Sequence, residues 1–180
     1  MSIYQDWCNI LTEISRYAIR TLDSITLPPN PVIVFDIDLT LLDNNNLVIK
    51  PIRVVYYYAL MLGIKVVIIT SRSGTKEVIE LTRQQLNTAG ITDISYWYFR
   101  NPSKYNNWSF KRKSRMNIHE RGYNIVMSLG DQDWDIKNGY TGIGIKIPLI
   151  YQDKIIYSNS VLEDHFYYLN NGKKNHLFLE

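Results

Sequence analysis

The sequence has little cysteine: Cys8 is the single thiol among 180 residues. One thiol excludes an intrachain disulfide and a zinc site built from several cysteines. Long apolar runs are also missing, since none approaches the roughly 18 residues of a membrane span. The sequence does not open with a basic stretch followed by an apolar core, the pattern of a signal peptide. We therefore expect a soluble, cytoplasmic or otherwise intracellular protein without a membrane partner.

The sequence has no large excess of either charge. It contains 20 lysines and arginines against 17 aspartates and glutamates, which gives a formal net charge of +3. Because the two charges are nearly equal in number, the net charge does not by itself indicate nucleic acid or membrane as a partner. Hydrophobic residues make up 46% of the chain, which is enough to bury a core. We expect residues 1–180 to form a single domain, with 1–26 as a helical extension and 30–150 as the core.

Apolar strands alternate with helical segments along the chain. Apolar residues at helical spacing predict an amino-terminal helix over 3–22. Continuous apolar strands between helices are typical of a parallel sheet covered on both faces. The expected fold is therefore α/β: a Rossmann-like, three-layer domain with a central parallel sheet. The predicted strands are 32–35, 65–69, 94–99, 125–129 and 143–147, and the further helices are 51–62, 75–88, 110–121 and 162–169.

Acidic side chains follow two of the predicted strands. Asp36 and Asp38 come after the first strand, and Asp131 and Asp135 come after the fourth. Ligands of open parallel sheets bind beyond the carboxyl ends of the strands, and residues i and i+2 of an extended chain point the same way. Four carboxylates at one edge require a cation, and oxygen ligands without histidine or cysteine favour Mg²⁺ over zinc. Magnesium in turn suggests phosphate chemistry.

Other interpretations of each segment remain open when it is taken alone. Aspartates that follow a strand often cap helices or turns. Thr70, in the stretch ITSRSGTKE, would grip a phosphoryl oxygen or simply end the second strand before a serine caps the next helix. Lys111, in SFKRKSR, would neutralise a phosphoryl group. The basic residues beside it form a solvated face or, less favoured, a nucleic-acid patch.

In this order, the segments resemble the four motifs of the haloacid dehalogenase (HAD) superfamily of phosphohydrolases. DIDLT at 36–40 resembles the first motif, VVIIT ending at Thr70 the second, Lys111 the third and GDQDWD at 130–135 the fourth. The resemblance is nearer to the acid phosphatase branch, which includes plant acid phosphatases, vegetative storage proteins and bacterial class B enzymes. The patterns of that branch, DxDETLL, ITxR, YKSxxR and GDQWSD, are similar to DIDLTLL, ITSR, FKRKSR and GDQDWD here.

The resemblance implies Mg²⁺-dependent hydrolysis of a phosphomonoester through an aspartyl-phosphate on Asp36. It implies that Asp38 is the general acid and base, and we expect this side chain to be partly buried beside another carboxylate. Thr70 would contact the phosphoryl oxygens and Lys111 would offset their charge. The other expected substrate-binding residues are Thr40, Ser71, Arg72 and Arg115, and the expected metal ligands are Asp36, Asp38 through its backbone carbonyl, Asp131 and Asp135.

Two departures from the family pattern bear on the substrate. Leu39 stands where the branch usually has glutamate, and only a short stretch, 43–50, separates the first motif from the next helix. The short connection predicts a small or absent cap domain and therefore an open site. An open site suits a small phosphomonoester. A nucleotide is one candidate, because several aromatic residues are available for stacking. These residues are Tyr56, Tyr57, Tyr58, Trp97, Tyr98, Tyr105 and Trp108.

Three alternatives to a small-molecule phosphatase remain open. The first is a non-catalytic binding or storage protein on the same fold, which Leu39 leaves open. The second is a nucleic-acid end phosphatase, which the basic segment permits but does not favour. The third is a phosphoacceptor domain, although no lone aspartate follows a strand in a suitable place. An oligomer is compatible with the sequence.

Overall fold

The computed structural model describes residues 2–151 and 154–156. The predicted helix at 162–169 lies outside the described residues. The elements are, in chain order, α1 (Ile3–Ser24), β1 (Pro31–Phe35), α2 (Lys50–Met61), β2 (Lys65–Ser73), α3 (Lys76–Thr88), β3 (Tyr96–Arg100), α4 (Asn107–Glu120), β4 (Asn124–Gly130), α5 (Asp133–Ile136), β5 (Ile143–Lys146), β6 (Leu149–Tyr151) and β7 (Lys154–Ile156).

Five parallel strands form the central sheet in the order β3-β2-β1-β4-β5. β1 lies in the middle, where both faces of a strand must be apolar. Val32 and Val34 pack into the hydrophobic cluster on one face, and Ile33 and Phe35 pack into the cluster on the other. This arrangement confirms the predicted α/β, Rossmann-like fold with a central parallel sheet.

Helix α1 covers part of one face of the domain by packing against α2. Ser2 caps its amino terminus, and the helix buries a stripe that includes Leu11 and Ile14. Apolar residues three and four apart lie on one side of a helix, which explains the stripe. Trp7 extends the contact, because its indole Nε1 donates to the Pro148 carbonyl at 2.7 Å. The amino-terminal helix predicted from the sequence is therefore present.

Three features differ from the predicted elements. β2 continues to Ser73 rather than ending at 69, because it follows β3 past a register shift between Thr70 and Ser73. α4 begins at Asn107, since the Asn106 side chain caps it by accepting from the Ser109 amide at 2.9 Å. The short helix α5 and the β6–β7 hairpin were not predicted, because elements of three or four residues carry no detectable periodicity.

Among residues 2–151 and 154–156, the carboxyl edge of the sheet is covered by short connections. Residues 36–49 join β1 to α2, and residues 101–106 join β3 to α4. Within the part of the chain that the structure describes, neither connection contains a further helix or a strand, in agreement with a small or absent cap. Among those same residues, no helix is long and apolar enough to cross a bilayer.

Candidate active site

Three buried aspartates meet at the carboxyl end of the sheet. Asp36 follows β1, Asp131 follows β4 and Asp135 lies in α5; their exposed fractions are 8%, 5% and 4%. One carboxylate oxygen from each lies within 4.8 Å of the other two. The topology explains this proximity, because β1 and β4 are neighbours and the Asp36 amide donates to the Leu129 carbonyl at 3.0 Å.

Lys111 enters this carboxylate cluster from the second turn of α4. Its Nζ lies 2.5 Å from Asp36 Oδ1 and 2.6 Å from Asp135 Oδ1, and it also donates to the Ile69 carbonyl. Burial by itself would lower the pKa of Lys111, but the carboxylates of Asp135 and Asp36 outweigh it and raise that pKa. The ammonium group therefore stays charged and has three oxygen partners.

One lysine does not compensate three buried carboxylates. Burial raises the pKa of Asp36 well above its ordinary value, Lys111 opposes this effect, and Asp135 and Asp131 add to it. Burial, together with Asp135, raises the pKa of Asp131 to about 6. Ionising all three carboxylates is therefore costly unless a cation joins them. The donor set consists of oxygens alone, which fits a hard divalent ion.

We expect the metal-free protein to lose stability as the pH rises from 5 to 7. The pKa of Asp131 in the folded protein is about 6, above its ordinary 3.8. The folded state therefore binds this proton more tightly than the unfolded chain. The resulting stability is complete below the unfolded pKa and is lost as the pH rises through the folded pKa. Asp131 alone accounts for about 1 kcal/mol between these two pH values.

Thermal unfolding in EDTA at both pH values measures this effect. Asp131→Asn has no proton to lose at this position, so its Tm should decline less than that of the wild type. The exposed Asp93, between α3 and β3, provides the control Asp93→Asn, which should follow the wild type. Equal pH dependence in the wild type and Asp131→Asn would contradict the prediction.

The side chain of Asp38 lies outside the carboxylate cluster. It is 55% exposed, and its carboxylate accepts from Arg72 Nε at 3.0 Å and from Arg72 Nη2 at 2.6 Å. The expectation that Asp38 lies beside the other carboxylates is therefore wrong, because its partner is Arg72. The rule that residues i and i+2 share a face holds only in extended chain, and β1 ends at Phe35. A tight turn follows, in which the amides of Thr40, Leu41 and Leu42 all donate to the Ile37 carbonyl.

Leu39 lies within this turn and adopts a left-handed backbone with φ +59°. Such a conformation costs a residue with a Cβ about 1–2 kcal/mol. The position where the related branch usually has glutamate is therefore a strained corner between Asp38 and Thr40. Thr40 is fully buried, and its Oγ1 has no hydrogen-bond partner among residues 2–151 and 154–156.

The second predicted segment reaches the same edge of the sheet. Thr70 is fully buried, and its Oγ1 accepts from the Arg72 amide at 3.2 Å. The Ser71 hydroxyl is buried and has no hydrogen-bond partner within the described ranges. Arg72 binds Asp38 on one side, and on the other it donates to Thr82 Oγ1 at 3.0 Å and Gln85 Oε1 at 2.6 Å. Its guanidinium is thus fixed at the mouth of the site.

Arg115 does not occupy the position expected of a substrate-binding residue. It is fully buried, and its guanidinium donates to backbone carbonyls of residues 134–139. Burial lowers the pKa of Arg115 to about 10, so the group remains charged at neutral pH. Arg115 is four residues after Lys111, so both side chains lie on one face of α4. The longer side chain, that of Arg115, contacts main chain instead of reaching the carboxyl edge of the sheet.

Sequence reasoning missed two side chains beside the cluster. Lys146 is buried on β5 opposite Gly130, and its Nζ donates to Asp133 Oδ1 at 2.8 Å. Gln132 Nε2 donates to Asp131 Oδ2 at 2.6 Å. The signal for Lys146 was a lone lysine in the apolar stretch GIGIKIP, which indicates a buried cation that has an acidic partner.

One exposed aromatic side chain lies close to the site. Trp108 is in α4, one turn before Lys111, and it is 41% exposed. Its ring meets Trp134 of α5 edge to face, with centroids 6.1 Å apart. Trp97, by contrast, stacks on Phe99 within β3. Of the two tryptophans considered for stacking, Trp108 is the one in the same helix as Lys111.

Comparisons with known proteins add two sequence relationships. A profile of the HAD superfamily, subfamily IIIB (acid phosphatase), matches residues 48–171. The match includes Thr70, Lys111, Asp131 and Asp135 and begins after Asp36. Vegetative storage protein 1 from Arabidopsis thaliana is 34% identical over 94 residues, which are 52% of this chain. The chain aligns with only 34% of the length of that relative.

Two solved structures share the fold. The class C acid phosphatase from Bacillus anthracis superposes with a TM-score of 0.57 at 16% identity, over 74% of this chain and 66% of that chain. The same enzyme with tungstate bound gives a TM-score of 0.55 at 14% identity, over 74% and 66% of the two chains. At such low identity, the likeness concerns the sheet and its covering helices.

Proposed function

This chain belongs to the HAD superfamily, subfamily IIIB (acid phosphatase), and on that premise we propose that it is a Mg²⁺-dependent phosphomonoesterase. One observation carries the proposal: the buried carboxylates of Asp36, Asp131 and Asp135 cluster at the carboxyl end of the sheet, and two of them bind the charged amine of Lys111. Such a cluster is costly unless it serves a cation and an anion together.

Asp36 is the nucleophile in this proposal. Its carboxylate attacks phosphorus, an aspartyl-phosphate forms, and the bond from phosphorus to the leaving oxygen breaks. Asp38 gives a proton to the leaving oxygen and later takes one from the water that hydrolyses the intermediate. In the free protein, Arg72 binds the Asp38 carboxylate in its ionised form. In this proposal, the substrate phosphate displaces Asp38 from Arg72, and Asp38 then takes up from solvent the proton that it gives to the leaving oxygen. In this proposal, the Thr70 hydroxyl contacts the phosphoryl oxygens, and the hydroxyls of Ser71 and Thr40 bind the substrate.

The carboxylates of Asp36, Asp131 and Asp135 would hold Mg²⁺, with Asp38 contributing its backbone carbonyl. When bound, the ion supplies positive charge to the transferring phosphoryl group. Lys111 contributes a second, fixed positive charge. It also binds Asp36 Oδ1, which orients the nucleophile. Tungstate is an oxyanion, and its presence in the Bacillus anthracis phosphatase supports an anion site on this fold.

Removing the metal tests the proposal directly. We expect wild-type protein to hydrolyse 4-nitrophenyl phosphate with Mg²⁺, to stop in EDTA and to recover when Mg²⁺ is returned in excess. The released 4-nitrophenolate is measured by its absorbance. A folded protein without turnover at any pH from 5 to 8 would contradict it.

A non-catalytic binding or storage protein is the second candidate. The name of the Arabidopsis thaliana relative and the leucine at position 39 favour it. In that case, the protein would bind Mg²⁺ or an oxyanion such as tungstate without releasing 4-nitrophenolate. Calorimetry and the 4-nitrophenyl phosphate assay together separate the two candidates, because only the storage protein would bind these ligands without turnover.

We also propose that the substrate is a nucleotide whose base stacks on Trp108. The partly exposed ring, which lies one turn before Lys111 in α4, and its edge-to-face contact with Trp134 support this choice. Stacking of a base on an aromatic side chain contributes about 1–3 kcal/mol. Trp108→Leu should therefore raise KM for a nucleoside monophosphate about tenfold. Trp108→Phe keeps an aromatic ring, so its KM should stay close to that of the wild type.

Steady-state kinetics with two substrates checks this prediction. Glycerol phosphate has no ring, so its KM should change much less than the KM of the nucleotide in Trp108→Leu. Tyr4→Leu removes an aromatic side chain of similar exposure from α1 and serves as the control variant. Equal effects on both substrates would contradict stacking by Trp108.

We propose finally that residues 1–180 form one domain. Two contacts support the amino-terminal part of this assignment, the packing of α1 on α2 and the bond from Trp7 to Pro148. The family profile extends to residue 171 and supports the carboxyl-terminal part.

A further inference from the structure

Arg115 binds one short segment of main chain with almost all of its hydrogen-bonding capacity. Nε donates to the Gly139 carbonyl at 3.0 Å, Nη1 to those of Trp134 at 2.9 Å and Asp135 at 3.2 Å, and Nη2 to that of Lys137 at 2.6 Å. A guanidinium has five N–H donors, so four are used here. Little capacity remains for a substrate anion.

The segment from 134 to 139 cannot hold this shape without help. Helix α5 has four residues, which is too few for a stable isolated helix, and the carbonyls at a helix end lack partners within the helix. Asn138, Gly139 and Tyr140 then follow with φ of +72°, +84° and +59°. Three successive left-handed residues make no strand or helix bonds of their own, so the carbonyls from α5 to Gly139 are satisfied by an outside donor, Arg115.

Helix α4 holds Asp135 at both its side chain and its main chain. Lys111 and Arg115 lie one turn apart on the same face of α4. Lys111 Nζ binds the carboxylate of Asp135, and Arg115 binds its carbonyl. The Asp135 carboxylate also accepts from the Gln132 amide at 3.1 Å. The distance between α4 and the 131–139 segment is therefore set by two cations on one rigid helix.

We propose that Arg115 is a positioning residue that fixes the 131–139 segment so that the carboxylates of Asp131 and Asp135 face Asp36. Its effect on metal affinity rests on the proposed function, whereas its effect on the segment does not. Replacing a residue that hydrogen-bonds to a metal ligand, without binding the metal itself, typically weakens metal affinity about 10–100-fold. A lysine at this position keeps the charge but cannot span four carbonyls, since its donors lie on one atom.

Amide hydrogen exchange of the metal-free protein decides the positional part. We expect Arg115→Lys to speed exchange at 131–139 about tenfold or more, while the amides of β1 and β4 exchange at wild-type rates. The exposed Arg112, three residues earlier on α4, gives the matched control Arg112→Lys, which should leave all rates unchanged. Unchanged exchange at 131–139 in a folded Arg115→Lys protein would overturn the proposal.

Calorimetric titration with Mg²⁺ tests the consequence. The affinity of Arg115→Lys should be about 10–100-fold weaker than that of the wild type and of Arg112→Lys. Wild-type affinity in Arg115→Lys would overturn the link to the metal. If the wild type itself does not bind Mg²⁺, the metal centre under the proposed function is wrong, and hydrogen exchange alone decides whether Arg115 positions the segment.

A measurement on the wild type covers the case in which Arg115→Lys does not fold. The Nε–H of Arg115 is buried and bonded to Gly139, so its nitrogen-15 NMR signal should persist in deuterated solvent far longer than signals of exposed arginines such as Arg112. A signal that exchanges as fast as the exposed ones would overturn the proposal.

Discussion

Asp36→Asn is expected to lower kcat for 4-nitrophenyl phosphate by about 10⁴-fold or more, because the amide cannot form the aspartyl-phosphate. The same change is expected to stabilise the metal-free protein. Burial, helped by Asp135 and Asp131, raises the pKa of Asp36 well above its ordinary value. A raised carboxyl pKa means that the ionised form destabilises the folded state, and asparagine removes that charge.

Two measurements check these opposite effects of Asp36→Asn. Initial rates with Mg²⁺ give the loss of activity. Urea unfolding in EDTA at pH 8 gives the free energy of unfolding, which should rise. Asp93→Asn removes an exposed carboxylate and should change neither quantity. A loss of stability in Asp36→Asn would show that the ion pair with Lys111 outweighs repulsion among the carboxylates.

Much of this site could be predicted because it depends on topology. Parallel strands present their carboxyl ends at one edge, so residues that follow β1 and β4 must meet if those strands are neighbours. The apolar runs of both strands are evident in the sequence. The structure accordingly brings together Asp36, Asp131, Asp135 and Lys111.

The surroundings of Asp38 and Arg115 could not be predicted in the same way. The direction of Asp38 depends on a turn whose corner, Leu39, has a backbone conformation that leucine seldom adopts. The partners of Arg115 depend on which distant carbonyls lack hydrogen bonds. The sequence shows that Lys111 and Arg115 share a helix face, but not how far each side chain extends. Both facts arise only when the elements are packed together.

The length of β2 shows the same limit. Apolar character ends at Ile69, yet the strand continues to Ser73 because β3 supplies a partner at Arg100. The continuation places Thr70 in the sheet, where it is fully buried, and Arg72 beside Asp38. Hydrogen bonding to a neighbouring strand, rather than local composition, thus sets the position of two residues at the site.

Gly130→Ala is expected to weaken Mg²⁺ binding about 100-fold or more and to lower kcat/KM by a similar factor. A Cβ at position 130 would lie 2.1 Å from the Cβ of Asp135 and 2.5 Å from its Oδ2. Neither partner moves easily. Gly130 is paired with Lys146 in the sheet, and the main chain of Asp135 is bonded to Arg115. The carboxylate of Asp135 must therefore leave its place beside Lys111.

The matched control is Gly74→Ala. A Cβ there would meet its nearest neighbour, the Cβ of Phe99, at 3.5 Å, an ordinary contact. Gly130→Ala should lower the Tm by several degrees, since forcing a methyl group into a packed core costs about 1–3 kcal/mol, and Gly74→Ala should not. Calorimetry with Mg²⁺ and initial rates complete the comparison. Wild-type affinity in Gly130→Ala would mean that Asp135 does not need its observed position to serve the metal, and the cluster would then consist of Asp36 and Asp131 alone.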